Sequence, residues 1–292
     1  MSMVGSSPGS PEFHRSRLLG TGFLAVLFLY TMLPLAYLVV SSSKTQTDLF
    51  ETFGLWFGHR NALFENVHTL FTFQDGVYAH WLLNTALYSG ASAIGATLLC
   101  SAAGYAFAHF RFRGRRALFA IVLGAVMIPQ TALTIPLFLL LSKVGLVDTP
   151  FAVILPSLVF PLGVYLMRVY VEQAVSEDLL DAARLDGAGE ARVFFTIAFP
   201  LITPAAVTVL LLSFVATWNN YFLPLVVLSR PSLFPITVGL ASWYQAASAG
   251  GGSQALFPLV MTGALVALVP VLLAFLGLQR FWRGGLTSGG VK

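Results

Sequence analysis

Apolar residues run along this chain in long charge-free blocks set apart by short polar connections. A helix needs roughly 20 mostly apolar residues to cross the ~30 Å hydrocarbon core of a bilayer. Blocks of that length occupy 18–43, 81–108, 117–142, 149–167 and 256–278. A further stretch, 193–229, is free of charge but longer than one crossing needs. Its span is placed at 203–228, with the lead-in lying along the membrane interface. The pattern predicts an all-α membrane protein with six transmembrane helices. Between them lie long connections at 44–80, 168–200 and 230–255, and a tail follows at 279–292.

Composition supports the pattern. The 292 residues are 57% hydrophobic and 10% charged, with a mean hydropathy of +0.81, whereas a soluble domain carries about 25% charged residues. Lys and Arg concentrate on the cytoplasmic side of a membrane. With six spans both termini share a side, and of the 16 Lys and Arg only Lys44, Arg60, Lys143 and Arg230 fall on the other. Both termini are therefore expected in the cytoplasm. The net charge of +4 does not point to nucleic acid. Its densest cluster, Arg111-Phe112-Arg113-Gly114-Arg115-Arg116, is a short turn between the second and third spans that anchors topology near anionic headgroups. The single cysteine, Cys100, excludes an intramolecular disulfide or a cysteine-clustered metal site. Residues 1–14, rich in Ser, Gly and Pro, read as a vector-derived tail outside the fold.

The connections differ in character. Between 44 and 80, Phe50, Phe53, Trp56, Phe57, Phe64, Phe71 and Phe73 stand among mixed charges and predict a small amphipathic cap on the outer side. The 230–255 loop holds no charge beyond Arg230 and carries Trp243, Tyr244 and a Gly250-Gly251-Gly252 hinge. The cytoplasmic 168–200 loop carries half of the chain's 12 acidic residues. There Ser176 suits an N-cap, and Glu177 and Asp178 suit a first turn. Leu179, Leu180 and Ala183 fall on one helical face, and Gly187 can terminate it with φ > 0. A second short helix through Glu190, Phe194 and Ile197 should stop before Pro200. The element reads as an apolar knuckle projecting into water for a partner; headgroup repulsion of Glu177, Asp178 and Asp181 argues against a helix lying on the membrane.

The loop reads Asp181-Ala182-Ala183, three residues, Gly187, nine residues, Ile197, one residue, Phe199-Pro200. This resembles the Glu-Ala-Ala signature of ABC importer permeases, with Asp for Glu at 181 and Phe for Leu at 199. The resemblance extends over 18–292 to the maltose-type carbohydrate permeases, through Ala103-Gly104-Tyr105-Ala106, Met127-Ile128-Pro129, Ile135-Pro136-Leu137, Trp218-Asn219 and the end Arg283-Gly284-Gly285-Leu286-Thr287-Ser288-Gly289-Gly290-Val291-Lys292. It is nearer to the shorter member of that family's heterodimeric pair. Asn220 stands where the family often has an acid.

The resemblance implies a type I ABC importer permease fold with a cytoplasmic coupling helix, in the bacterial cytoplasmic (inner) membrane. Asp181, Ala182, Ala183, Arg184, Gly187, Ile197 and Pro200 would form the ATPase-coupling element. The implied partners are a second permease subunit, two ATPase subunits and an extracellular or periplasmic solute-binding protein. No cofactor would be bound by this chain, and ATP with Mg²⁺ would sit on the ATPase subunits.

Polar residues within the spans are sparse, and no acid or base sits deep in one, so proton relay lacks its usual groups. Neutral hydroxyls, amides and rings suit an uncharged, sugar-like solute, and Asn84, Tyr88, Thr131, Trp218, Asn219, Asn220 and Tyr221 are the candidates for its path. An ABC permease for a glycerophosphodiester, polyamine or peptide is the alternative. A secondary transporter would need inverted repeats, and an enzyme would need a zinc-type His spacing or a P-loop; the sequence displays neither pattern.

Overall fold

The computed structural model describes residues 11–249 and 256–286, so the Gly250-Gly251-Gly252 hinge, the start of the N-terminal tail and the last residues, from Thr287, lie outside the described residues. The helices are α1 (Pro11–Ser42), α2 (Gln46–Glu51), α3 (Leu63–Thr72), α4 (Val77–His109), α5 (Arg115–Val126), α6 (Thr134–Lys143) and α7 (Phe151–Ser157). They continue as α8 (Pro161–Ala174), α9 (Glu177–Leu185), α10 (Glu190–Val193), α11 (Phe199–Trp218), α12 (Phe222–Val227), α13 (Ile236–Ala249) and α14 (Leu256–Leu286). Among the described residues, five helical stretches are long and apolar enough to cross a membrane, and a bent pair brings the number up to 6. The chain is an all-α, multi-span membrane protein.

Proline and backbone geometry break several spans that their lack of charge made look continuous. The third is a pair, α5 and the Gln130–Lys143 segment, bent by 100°. Pro129 explains the break: the residue before a proline is pushed out of the α region, and Pro129 itself is extended at ψ 125. The fourth is α7 and α8, divided at Leu158–Phe160, with Pro161 in the first turn of α8, where its missing N–H costs nothing. The helix then runs on to Ala174, beyond the expected end at 167. The fifth ends at Trp218 and resumes as α12.

The short helix expected to stop before Pro200 does not stop. Residues Phe194–Ala198 form a π-turn in which the Phe199 N–H donates to the Phe194 carbonyl, five residues back. A proline clashes with the carbonyl four residues before it, here that of Thr196. The wider turn falls where that carbonyl must give way, and the helix passes through Pro200 into α11.

By internal contacts the chain divides into two units: one up to Leu70 with Ala246–Leu265, the other Phe71–Gln245 with the chain from Val266 on. In the second, α4 packs against both α8 and α11. Glycines permit the approach. A Cβ on Gly104 would lie 2.5 Å from the Met167 Cβ and 2.8 Å from the Arg168 amide nitrogen, and one on Gly163 would lie 2.8 Å from Cys100 Sγ. Membrane helices pack through such small residues because lipid supplies no hydrophobic drive between them. In the first unit, Ser41, Ser42, Ser43, Lys44, Asp48 and Asn66 are buried, while α1 is exposed over most of its length from Leu18 to Val39.

Candidate functional site

The 168–200 loop folds into an element keyed to the spans. Helix α9 opens at Ser176, which has N-cap backbone geometry but makes no side-chain capping bond. It closes in a paired-bond cap: the Gly187 N–H donates to Arg184 O at 3.0 Å and the Ala188 N–H to Ala183 O at 3.0 Å. That closure requires a left-handed residue at the turn, and Gly187 has φ +82. Arg184 draws the segment together, donating to Asp181 Oδ1 at 2.8 Å and to Glu190 Oε1 at 2.8 Å. The hydrogen bonds to Glu190 and then Asp181 raise the guanidinium pKa above its ordinary value. Asp181 is thus already paired within the chain, with its carboxylate still largely open to solvent.

The apolar knuckle faces inward. Leu180 is fully buried and Ala183 is 8% exposed. Both join a core of Tyr105, Met167, Val171, Val193, Phe194 and Ile202, drawn from α4, α8, α10, the π-turn and α11. Ile197 packs against that core, while Pro200 is exposed. Of the face expected to project, only Leu179 is exposed; Ala182 and Leu185 present the outward surface instead. The sequence periodicity found an apolar face without telling which side of it was covered. Nearby, Arg168 donates to Glu172 at 2.9 Å and lies 3.9 Å over the Phe119 ring, and Arg115 donates to Ala108 O at 3.1 Å. The arginine turn is therefore partly a structural tie between the ends of α4, α5 and α8. A cavity of ≈ 490 Å³ lies between that turn and α9, lined by His109, Arg111, Glu177, Leu180, Asp181 and Arg184 among others.

A second cavity, of ≈ 500 Å³, opens where the third, fourth and fifth spans are broken. It brings together Thr131, Asn219, Asn220 and Tyr221 with Gln130, Thr134, Ser213 and Thr217, against a mostly apolar wall. The breaks themselves supply this polar lining. Asn219 donates to Val215 O at 2.9 Å, and the Asn220 carbonyl accepts from Thr237 Oγ1 at 2.8 Å, so both are held in place. Gln130, Thr134, Ser213 and Thr217 were visible in the sequence as polar residues inside spans, but nothing there joined 130–134 to 213–221.

Three candidates are placed elsewhere. Trp218 is buried, with its ring 5.4 Å from Phe214. Asn84 donates to Ser232 O at 2.8 Å and to Phe234 O at 3.1 Å, and the Tyr88 hydroxyl donates to Leu233 O at 2.9 Å. With Trp81, which donates to Pro231 O at 2.9 Å, and Thr85, which accepts from the Ile236 N–H at 2.7 Å, they form one face of α4 that clamps the 231–236 turn. An isolated polar residue in a span has two uses, and here the carbonyls of a loop required it.

Residues 98–282, which include the 168–200 loop and the polar cavity, match the family described as binding-protein-dependent transport system inner membrane component. The chain is 35% identical to the arabinooligosaccharides transport system permease protein AraQ of Halalkalibacterium halodurans, over 95% of this chain and 96% of that one. It is 31% identical to the lactose transport system permease protein LacG of Rhizobium radiobacter, over 92% and 94%. In fold it is similar to a chain of the crystal structure of a bacterial ABC transporter involved in the import of the acidic polysaccharide alginate, with a TM-score of 0.80, 22% identity and coverage of 95% of this chain and 100% of that one. The chain belongs to the family of inner-membrane components of binding-protein-dependent transport systems.

Proposed function

We propose that this chain is one half of the pore of an ATP-driven importer for a neutral oligosaccharide, corresponding to the shorter subunit of the maltose-type pair. The observation that carries the reading is the seating of α9. Its inner face is fused by Leu180 and Ala183 to the core of α4, α8 and α11, and its outer face presents Leu179, Ala182 and Leu185. A force applied to that outer face by an ATPase subunit moves the spans with it, since a close-packed interior transmits displacement rather than absorbing it. ATP and Mg²⁺ are held and hydrolysed on the ATPase pair, and this chain contributes no catalytic group. Both termini and α9 face the cytoplasm, and an external binding protein delivers the solute on the other side.

The polar cavity supports a sugar as the solute. Its amides and hydroxyls carry no formal charge and stand beside the Tyr221 and Phe222 rings. Relatives named for arabinooligosaccharide and lactose transport favour the same class. The test is purification from native membranes in mild detergent, followed by reconstitution and uptake of labelled oligosaccharides. The reading expects an ATPase and a second multi-span chain to co-purify, and ATP-dependent uptake. Asn219→Ala should raise KM about twofold to tenfold, as loss of one hydrogen bond of about 0.5–1.5 kcal/mol implies. Purification of the chain alone, or uptake independent of ATP, would contradict it.

A further inference from the structure

The connection after α1 is a closed loop whose apolar side chains point outward. Its ends are joined where the Ala62 N–H donates to Ser43 O at 2.8 Å, and Asn66 Nδ2 donates to Ser42 O at 2.8 Å and Lys44 O at 2.9 Å. Inside, the buried Lys44 ammonium donates to Phe53 O at 2.9 Å. Asp48 pairs with His59 at 2.7 Å, and Thr45 caps α2 by accepting from the Asp48 N–H at 3.2 Å. Compact loops closed in this way hold their shape. What this one presents is Phe50 at 67% exposure, Phe53 at 74%, Trp56 at 71% and Phe64 at 87%, with Leu55 and Phe57 also exposed. A pinned loop with its rings outside is built to be covered.

Its level identifies the cover. Gly54 lies against Tyr37: a Cβ there would sit 3.2 Å from the ring. Tyr37 is five residues before the end of α1, ~8 Å back along the helix axis at 1.5 Å per residue. Phe50 meets Phe257, in the first turn of α14, edge-on at 5.3 Å. Two membrane-spanning helices therefore flank the loop at their ends, where aromatic side chains settle between headgroups and acyl chains. Beside the rings, Arg60 pairs with Glu65 at 2.6 Å and His59 with Asp48, while Glu51 is exposed and in no ion pair among the described residues.

We propose that residues 50–64 are an interfacial anchor, inserting Phe50, Phe53, Trp56, Phe57 and Phe64 into the headgroup–acyl boundary on the membrane face opposite the N-terminus. The anchor rests on the reading of α1 as a span. It fixes the depth of a helix that makes few contacts of its own. Because residues 50–64 present no unpaired basic group, insertion does not depend on anionic lipid.

The test is nitroxide labelling of Phe53→Cys and, separately, Phe64→Cys in a Cys100→Ser background. The full complex is reconstituted in vesicles of phosphatidylethanolamine with phosphatidylglycerol, and again in phosphatidylcholine alone. Phe28→Cys, in the middle of α1, serves as the deep reference. Expected at both loop sites is greater accessibility to oxygen than to a water-soluble nickel chelate, at a depth shallower than Phe28 and equal in both lipids. Chelate-dominated accessibility at both sites overturns the anchor. Accessibility to neither reagent also overturns it and assigns the rings to a protein partner. Chelate-dominated accessibility at Phe28 as well would reject the span itself, and the anchor with it.

Discussion

Ala182 and Ala183 are neighbours of the same chemistry with opposite surroundings. Ala183 sits in the core and Ala182 faces out. An arginine at 183 would force an unpaired guanidinium among apolar side chains, which proteins do not tolerate. Ala183→Arg should therefore fail to accumulate in membranes. Ala182→Arg should accumulate normally and lose ATP-driven uptake, and membrane immunoblots beside uptake separate the two. At the opposite end of the spans, Asp148 has φ +60 and accepts the Ser229 N–H at 3.0 Å, the Arg230 N–H at 3.1 Å and Arg230 Nε at 2.7 Å. Those donors, the two backbone ones first, hold its pKa below the ordinary carboxylate value. A lowered folded pKa contributes stability that is complete above the unfolded value of about 3.9 and is lost as pH falls through the folded one. Asp148→Asn keeps a residue that accepts positive φ and removes the charge. Its thermal unfolding temperature should fall below wild type at pH 7, and the gap should narrow below about pH 4. The positions of Gly187 and the signature residues were legible in the sequence because a left-handed turn and fixed spacing leave marks there. The orientation of Leu180 and Ala183 was not, because it is decided by what α4 and α11 bring to them from up to eighty residues away.

At the scale of elements, helix α4 carries two kinds of contact along its length. Near one end its Trp81–Asn84–Thr85–Tyr88 face holds the 231–236 turn; further along, Gly104 lets α8 approach. Asn84→Ala leaves two carbonyls short of a donor, costing about 1–2 kcal/mol. It should lower thermal stability while leaving the KM for uptake unchanged, the reverse of what Asn219→Ala should do. Gly104→Ala places a Cβ against Met167 and the α8 backbone, so the helices must separate, at about 1–3 kcal/mol. Thermal unfolding in detergent should register it as a loss of stability. The apolar blocks of the sequence coincide with the five helical stretches long and apolar enough to cross a membrane and with one bent pair, yet hydropathy did not fix where the third, fourth and fifth break. The breaks at Pro129, at Leu158–Phe160 and at Asn219–Tyr221 leave little trace in a hydropathy window, because prolines and asparagines in a span are also compatible with unbroken helix. All three breaks frame the polar cavity, so the cavity became visible only with the fold.

At the scale of the molecule, the chain leaves much apolar surface uncovered. Ile121, Met127, Ile135 and Leu140 on the bent pair are each more than half exposed, as are Leu18, Phe23 and Phe28 on α1. Lipid covers part of such a surface, and the proposed half-pore would set a second permease against another part. Within the larger unit the packing is continuous from the outward face of α9 through Leu180, Ala183 and Phe194 into α4, α8 and α11, and α11 runs on to Asn219 at the cavity, the line along which the proposed coupling would act.

The measurement that tests this line most directly is photocrosslinking from α9 in native membranes, with a benzophenone amino acid at position 182 and, as comparison, at position 185. Both positions face out, and the account predicts that each captures an ATP-hydrolysing subunit, with a yield that changes when ATP is bound but not hydrolysed. Capture of lipid alone from both positions, or of the ATPase with no response to nucleotide, would contradict the coupling role of this helix.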